Sequence, residues 1–378
     1  MGLPTCKPAD AGRRAQSRGA DDPFAAQGRL QESHRRRYGL GLIVALAAGP
    51  AASETLRIAT FAAPLSRDGP GLLLRDLGRE DAQIDAILAI IAAADPEILL
   101  LTDFDYDLDT LALAVFADRA GYPHHFAYPP NSGRQTDLDL DGNGRTGEPR
   151  DAQGYGRFFG DGGMAILSRH PVGAGREDLS DVLWSDLPGA ILPEGEPQEV
   201  QAVQRLSSTG HWIVPIQTDA GPVTLMAYSA TPPVFDGPED RNGLRNRDEL
   251  RLWSHVLDTK GTPPHAVLLG NANLDPVDGE GYPDAMQALL DDPRFIDPKP
   301  ASAGAALVAD PGHRGDPALD TADWPSDGPG NLRVSYVLPT SDWQVSGAGV
   351  LWPAPDDPMA ELVAAAGPHR LVWVDLTR

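Results

Sequence analysis

The residues spaced most clearly for chemistry lie in one acidic segment, residues 137–148. Oxygen-bearing side chains recur along it at short intervals: Asp137, Asp139, Asp141, Asn143 and Glu148. Alternating carboxylates allow a turning backbone to bring oxygens around a hard cation, Gly142 permits the sharp bend, and Glu148 can close the shell with two oxygens. The spacing predicts a Ca²⁺ ion that holds the long loop 129–162 in place.

The flanks of this segment differ from those of a helix-loop-helix calcium site. Pro129 and Pro130 precede it, Pro149 follows it, and Gly144 stands where the eighth position is usually apolar. An acidic, glycine-rich turn that binds nothing is therefore the alternative to the calcium loop.

The elements around this loop alternate between helical and strand-like periodicity. Residues 80–94 place Ile84 and Ile91 on one helical face and end before Pro96, after which 98–101 has the pattern of a buried strand. Further strands are predicted at 164–168, 212–217, 223–228, 266–269, 333–338 and 371–375, and further helices at 247–257 and 283–290. The alternation predicts an α/β protein built from layers.

Six segments occur in an order that is typical of one superfamily of phosphoesterases. They are residues 56–61, 98–103, 163–169, 268–273, 332–338 and 367–373. Through them the chain resembles the endonuclease/exonuclease/phosphatase superfamily. A secreted bacterial branch of it is resembled by residues 137–144, 149–156, 231–242 and 315–322. The resemblance implies an α/β (α+β) fold in which two mixed β-sheets pack as a sandwich with helices on the outer faces. It places the active site at one end of the sheets.

The resemblance also implies a set of residues for metal-assisted phosphoester hydrolysis. Attack by water requires a carboxylate-held divalent cation, an acid or base, and donors for the developing charge. Active members carry Asn, Glu, Asp, Asn, Asp, Asp and His at the positions that this chain fills with Ala62, Asp103, Asn271, Asn273, Ser335, Pro368 and His369. Asp103, Asn273 and His369 are therefore the catalytic candidates, and the remaining positions are substituted.

These substitutions favour a degenerate member with weak or no phosphoester hydrolysis. Asn271 cannot act as a general base, and Pro368 removes the carboxylate that would orient His369. Without that carboxylate, a structural role of His369 is as well supported as a catalytic one. Loss of one acidic group from such a unit commonly costs several orders of magnitude in rate. The alternative is an active phosphodiesterase or phosphatase in which Mg²⁺ or Mn²⁺ occupies a rearranged cleft site, with Asp275 and Asp278 as substitute ligands.

The ligand expected of a degenerate member is a phosphorylated small molecule or a protein partner. Basic and amide residues at 241–247 could donate to phosphate, although ion pairs with neighbouring acids are the favoured interpretation. The formal net charge is −23, and residues 1–53 hold eight basic against four acidic residues, so the rest of the chain carries −27. Such a charge repels polyphosphate and argues against processive binding of nucleic acid.

Residues 35–53 have the features of a secretory signal peptide. Three arginines at 35–37 precede a short apolar stretch at 39–48, and 51–53 offer small residues for cleavage. The apolar stretch is too short to span a bilayer, so no transmembrane segment is expected in the mature protein. We therefore expect a secreted or periplasmic protein.

The signal peptide divides the chain into three parts. Residues 1–34 are interpreted as a disordered or mis-assigned N-terminal extension, and residues 54–378 as the phosphoesterase-like domain. The only cysteine, Cys6, precedes this domain, so the mature chain can form neither a disulfide nor a cysteine metal site.

Overall fold

The computed structural model describes residues 55–378. The predictions for the extension 1–34 and for the signal peptide 35–53 lie outside the described residues. Of the helices that the described part contains, none is long and apolar enough to cross a membrane.

The strands within residues 55–378 form two sheets. They are β1 (Leu56–Leu65), β2 (Ile98–Phe104), β3 (His124–Phe126), β4 (Gly163–Ser168), β5 (Glu177–Asp178), β6 (Gly210–Thr218), β7 (Gly221–Ser229), β8 (Ala266–Asn271), β9 (Ser335–Pro339), β10 (Gln344–Val350) and β11 (Val372–Thr377). The first sheet has the order β10-β11-β1-β2-β4-β3, and the second has the order β5-β6-β7-β8-β9. Both sheets are mixed, because β1 pairs with β2 and β7 with β8 in parallel while their other neighbours are antiparallel.

The helices cover the outer faces of these sheets. They are α1 (Leu72–Leu77), α2 (Ala82–Ala94), α3 (Leu111–Ala120), α4 (Gln198–Gln201), α5 (Arg241–Lys260), α6 (Pro283–Leu290), α7 (Ala303–Ala306) and α8 (Ala360–Ala366), with 3-10 turns at Pro149–Asp151, Trp184–Asp186 and Pro317–Leu319. Helices α1, α2, α3 and α8 share a core with the first sheet, and α5 and α6 share a core with the second.

A third core lies between the two sheets. Ile58 and Leu100 of the first sheet belong to it together with Trp212, Leu225 and Val267 of the second. Strands β1 and β2 are apolar almost throughout because both of their faces are covered, one by the other sheet and one by helices. The structure therefore confirms the predicted sandwich of two mixed sheets with helices on the outer faces.

Local sequence signals explain most element boundaries. Asp81 caps α2, since its carboxylate accepts the backbone N–H groups of Gln83 and Ile84 at 3.0 Å. Helix α6 has the predicted bounds. Helix α5 begins at Arg241, six residues before the predicted start at 247. The prediction missed this part of the helix because residues such as Arg245 and Asn246 are buried although they are polar, so that apolar periodicity does not mark them.

Candidate functional site

One end of the sandwich opens into a cleft of about 800 Å³. Strands β1 and β2 end there side by side, with Ala62 paired with Thr102. In the second sheet Asn271 is paired with Ser229 on one side and with Ser335 on the other. The cleft therefore collects strand ends from both sheets, as the resemblance implied.

The structure brings together most of the positions that the sequence singled out. Five of them line the cleft: Ala62, Asp103, Asn271, Asn273 and His369. We refer to these five residues as the cleft floor. Ser335 and Pro368 are not part of the lining; Ser335 is fully buried, and the Pro368 carbonyl accepts the backbone N–H of Asp323 at 2.9 Å.

Asp103 is the acidic residue of the cleft floor. Its backbone adopts the left-handed conformation, with φ of 62°. Burial raises its pKa to about 7, and the carboxylates of Asp105 and Asp161 add to this effect against a hydrogen bond from Ser66. A metal ligand must be ionised. A pKa of about 7 leaves both the protonated and the ionised form of this group populated near neutral pH.

The two asparagines of the cleft floor bond to each other. Asn271 donates its side-chain amide to the Oδ1 of Asn273 at 3.1 Å, and the Oδ1 of Asn271 accepts the backbone N–H of Asn273 at 3.3 Å. The amide of Asn273 also donates to the carbonyl of Ala230 at 2.8 Å. Asn273 holds the left-handed φ of 50°. Their amides are positioned by the fold but carry no charge.

His369 is a neutral imidazole at physiological pH. Burial, with a smaller effect of the Arg370 guanidinium, lowers its pKa to about 4. Its ring contacts the edge of Trp324, with 5.1 Å between ring centroids. Its Nδ1 is buried and has no hydrogen-bond partner among the described residues. No carboxylate therefore orients this ring, in agreement with Pro368 at the preceding position.

Ser335 also keeps a buried oxygen without a hydrogen-bond partner within residues 55–378. Its strand is tied to the His369 segment through Thr321. The Thr321 hydroxyl accepts the backbone N–H groups of Val334 and Ser335, at 2.9 and 3.0 Å, while its carbonyl accepts that of Arg370 at 2.8 Å. Buried polar atoms without partners are rare in proteins. The described residues thus leave a buried polar atom without a partner at two of the positions that the resemblance singled out, Ser335 and His369.

Carboxylates converge instead in one wall of the cleft, residues 137–151, which we call the acidic loop. Asp139, Asp141 and Asp151 bring carboxylate oxygens within 4.8 Å of one another. Asp141 also lines the cleft. Of the predicted carboxylate ligands, Asp139 and Asp141 belong to this group, whereas Asp137 and Glu148 do not. The predicted ligand Asn143 is not a carboxylate and contacts the group through Asp141.

Asp151 is the member of this group that the sequence pattern did not include. It lies three residues beyond Glu148 and is fully buried. Its carboxylate accepts the backbone N–H of Leu140 at 2.9 Å and that of Glu148 at 2.9 Å. The Glu148–Asp151 spacing, with Pro149 between them, forms a capping box for a 3-10 turn, which is a signal that could have drawn attention to it.

Asn143 and Glu148 complete the acidic loop without joining the carboxylate group. Asn143 donates its side-chain amide to Glu148 at 2.6 Å and to Asp141 at 3.2 Å. Its backbone N–H donates to Asp139 at 3.1 Å. Asp137 is exposed, with a left-handed φ of 62°.

Helix α5 braces the cleft walls with buried charges. The Arg245 guanidinium donates to the carbonyls of residues 153, 205, 206 and 207 at 2.5–3.1 Å, and burial lowers its pKa to about 10. Glu249 accepts the backbone N–H and hydroxyl of Ser208 and the backbone N–H of Thr231, all at 2.6–2.7 Å. These residues hold loops in position instead of presenting free charge to a ligand.

Most of the remaining polar candidates are also engaged. Arg241 pairs with Glu196 at 2.6 Å through Nη2, while its Nη1 is buried without a hydrogen-bond partner among the described residues. Arg247 pairs with Asp248 at 2.5 Å. Asp275 accepts backbone N–H groups of residues 277, 278 and 333 at 2.7–2.8 Å, and Asp278 accepts those of residues 314 and 315 at 2.7–3.1 Å. Neither Asp275 nor Asp278 lines the cleft. They do not supply the missing carboxylates at the cleft floor.

The cleft floor does not fit a divalent metal ion. Among its five residues it offers a single carboxylate, that of Asp103. Mg²⁺ and Mn²⁺ favour ionised oxygen ligands. Among the described residues, the group of acidic side chains that converges closely enough for a metal lies in the acidic loop.

Comparisons with known proteins agree with this architecture. The profile of the Endonuclease/Exonuclease/phosphatase family matches residues 67–370. The chain belongs to this family. Among solved structures, the endonuclease/exonuclease/phosphatase from Beutenbergia cavernae DSM 12333 is similar at a TM-score of 0.50 and 19% identity, over 85% of this chain and 71% of that one. No curated protein matches the sequence.

Two further structural relatives of this Endonuclease/Exonuclease/phosphatase family protein have specific names. Sphingomyelinase C from Streptomyces griseocarneus has a TM-score of 0.48 and 14% identity, over 85% of this chain and 99% of that one. A mannosyl-6-phosphatase from Bacteroides thetaiotaomicron VPI-5482 has a TM-score of 0.49 and 11% identity, over 85% and 100%. At such identities the likeness concerns the fold alone, so the reaction has to be argued from the residues of the cleft.

Proposed function

We propose that this protein is a secreted, degenerate member of the Endonuclease/Exonuclease/phosphatase family that binds a ligand in its cleft and hydrolyses phosphoesters weakly or not at all. One observation carries the proposal: of the five residues of the cleft floor, only Asp103 holds a carboxylate. Metal-assisted attack on phosphate needs ionised ligands and a base. The amide of Asn271 supplies neither, and burial makes the neutral ring of His369 only a weak base, with a pKa of about 4.

The proposal includes a calcium ion in the acidic loop. The convergence of Asp139, Asp141 and Asp151 supports a cation there, and the ligands are all oxygen atoms, which Ca²⁺ prefers. Such an ion would fix the cleft wall, because Asp141 lines the cleft and Asp151 binds the backbone of the same loop. Secretion rests on the signal-peptide pattern of residues 35–53.

An active phosphoesterase with a relocated metal is the second candidate. Asp141 favours it, because this residue belongs both to the acidic group and to the cleft lining. In that case the metal of the acidic loop would face the substrate from the wall.

Hydrolysis assays separate the two candidates. The purified protein is incubated with a panel of phosphodiesters and phosphomonoesters in the presence of Mg²⁺, Mn²⁺, Ca²⁺ or EDTA, beside the variants His369→Ala, Asn273→Ala and Asp141→Asn. We expect the wild-type protein to hydrolyse none of these substrates faster than the variants do. Metal-dependent turnover that His369→Ala and Asn273→Ala abolish would overturn the proposal, and loss of that turnover in Asp141→Asn would assign it to the relocated metal.

A further inference from the structure

One guanidinium group of the cleft lining is free to bind a ligand. Arg150 is exposed, lines the cleft, and forms no hydrogen bond or ion pair with other residues of the described part, 55–378. It lies next to Asp151 on the 3-10 turn Pro149–Asp151. No carboxylate of the acidic loop pairs with it, whereas Arg145 of the same loop pairs with Glu148 at 3.3 Å. The N–H donors of Arg150 are therefore available to an acceptor in the cleft.

Arg241 connects the cleft lining to the acidic loop. It lines the cleft, and its Nη2 donates to the Leu140 carbonyl at 3.3 Å and to Glu196 at 2.6 Å. Leu140 lies between Asp139 and Asp141, which both belong to the converging carboxylates. The position of the Arg241 guanidinium therefore depends on the conformation of the acidic loop.

The charges of the cleft lining are close to balance before a cation binds. Three guanidinium groups line the cleft, on Arg150, Arg241 and the buried Arg245. Four carboxyl groups of the same lining oppose them: Asp103, Asp141, Asp236 and Glu239. A divalent cation held by Asp141 adds two positive charges, which is enough to turn the balance of the lining from negative to positive.

We propose that the acidic loop controls anion binding in the cleft: a cation held by the loop neutralises Asp141 and allows Arg150 to bind a small anionic ligand. The two binding events then favour each other, because each ligand brings charge of opposite sign to the same wall of the cleft. Such coupling is reciprocal, so the anion raises the affinity of the loop for its cation by the same factor. The inference rests on the proposed function, which assigns a calcium ion to the loop and a ligand to the cleft.

Isothermal titration calorimetry measures this coupling in both directions. The purified protein is titrated with glycerol 3-phosphate in saturating Ca²⁺ and in EDTA, and with Ca²⁺ in the presence and in the absence of glycerol 3-phosphate. We expect Ca²⁺ to lower the Kd of glycerol 3-phosphate about tenfold, and glycerol 3-phosphate to lower the Kd of Ca²⁺ by the same factor. Glycerol, which carries no charge, should bind more weakly than glycerol 3-phosphate and show no dependence on Ca²⁺.

Three variants locate the two ends of the coupling. Arg150→Gln should raise the Kd of glycerol 3-phosphate in Ca²⁺ about tenfold, while Ca²⁺ still binds in the absence of the anion. Arg145→Gln is the matched control, because Arg145 is an exposed arginine of the same loop outside the cleft lining; the Kd of glycerol 3-phosphate should stay unchanged. Asp141→Asn should make the Kd of glycerol 3-phosphate the same in Ca²⁺ and in EDTA.

Three results would overturn the inference although Ca²⁺ binds: glycerol 3-phosphate does not bind, its Kd is the same in Ca²⁺ and in EDTA, or Arg150→Gln and Arg145→Gln bind it equally well. Failure of the proposed function is recognised separately. Absence of Ca²⁺ binding refutes the calcium assignment, and the inference falls with it. Rapid release of phosphate from glycerol 3-phosphate refutes the degenerate function and leaves the coupling standing.

Discussion

The cleft floor and the acidic loop face the same cavity, yet they differ in how many carboxylates they hold. The cleft floor keeps one carboxylate, Asp103, whose pKa is raised, whereas the acidic loop brings three carboxylates within 4.8 Å of one another. A formal net charge of −23 is thus no guide to where a cation binds. A cation site requires carboxylates that converge and that the backbone holds in place, as Asp151 is held by two N–H groups.

The largest effect is expected from breaking the brace that both regions share. Arg245→Met removes the donor to four buried carbonyls, including that of Gln153 beside the acidic loop, and leaves Glu249 buried without its cationic neighbour. We expect the free energy of unfolding to fall by about 3 kcal/mol or more. Urea denaturation measures it. Arg150→Met, at an exposed position, should change the free energy of unfolding by less than about 0.5 kcal/mol. An equal loss in both variants would contradict the supporting role of Arg245.

The next effect concerns calcium in the acidic loop. Ca²⁺ at a hundredfold excess over its Kd should stabilise the wild type by about 2.7 kcal/mol. Asp141→Asn should abolish this gain, because Asp141 belongs to the converging group, and should leave stability in EDTA unchanged because the residue is exposed. Asp137→Asn is the matched control: Asp137 lies outside that group, so most of the gain should persist. Thermal unfolding with and without Ca²⁺ gives the comparison, and loss of the gain in Asp137→Asn alone would refute the assignment.

Asp103 should make the folded protein less stable as pH rises. Its pKa of about 7 lies above that of an unfolded aspartate, about 3.9, so the folded chain binds more protons between these values. The free energy of unfolding therefore decreases as pH rises through this window. We expect Asp103→Asn to exceed the wild type by about 1–2 kcal/mol near pH 8, allowing for partial exposure of the group, and to equal it near pH 4.

Urea denaturation at both pH values measures the effect of Asp103→Asn. The exposed Asp109, on the loop that follows, supplies the control: Asp109→Asn should shift the unfolding free energy by less than about 0.5 kcal/mol at either pH. A difference between Asp103→Asn and the wild type that is the same at both pH values would speak against the raised pKa.

The smallest expected effect compares a buried hydroxyl without a partner with one that supports the fold. Thr102→Val should change stability by less than about 0.5 kcal/mol, because its Oγ1 has no partner among the described residues. Thr340→Val should cost about 1–2 kcal/mol, because that buried hydroxyl bonds to the backbone of Ala266 and to Asp342. Thermal unfolding compares them. Similar losses in both variants would contradict the structural role given to Thr340.

The fold was predictable because apolar periodicity records burial. Helix α2 and strand β2 follow from their apolar spacing and from Pro96, and the structure confirms them. The start of α5 was not predictable in this way, since its buried residues, such as Arg245 and Glu249, are charged and satisfied by loops distant in sequence. Periodicity cannot detect a partner that only the tertiary structure supplies.

The candidate site was predictable in part for a similar reason. The resemblance located Asp103, Asn273 and His369, and the structure places all three in one cleft. Asp151 was missed because a ligand pattern of fixed length stops at Glu148, whereas carboxylate convergence depends on how the backbone turns.

Manganese binding tests the central claim most directly, since Mn²⁺ accepts oxygen ligands and its free concentration can be followed by electron paramagnetic resonance. The titration compares the wild type with Asp141→Asn and Asp103→Asn. We predict Mn²⁺ binding that Asp141→Asn abolishes and Asp103→Asn leaves intact, which would place the cation in the acidic loop. Binding that survives Asp141→Asn and disappears in Asp103→Asn would place a metal in the cleft floor and contradict the account.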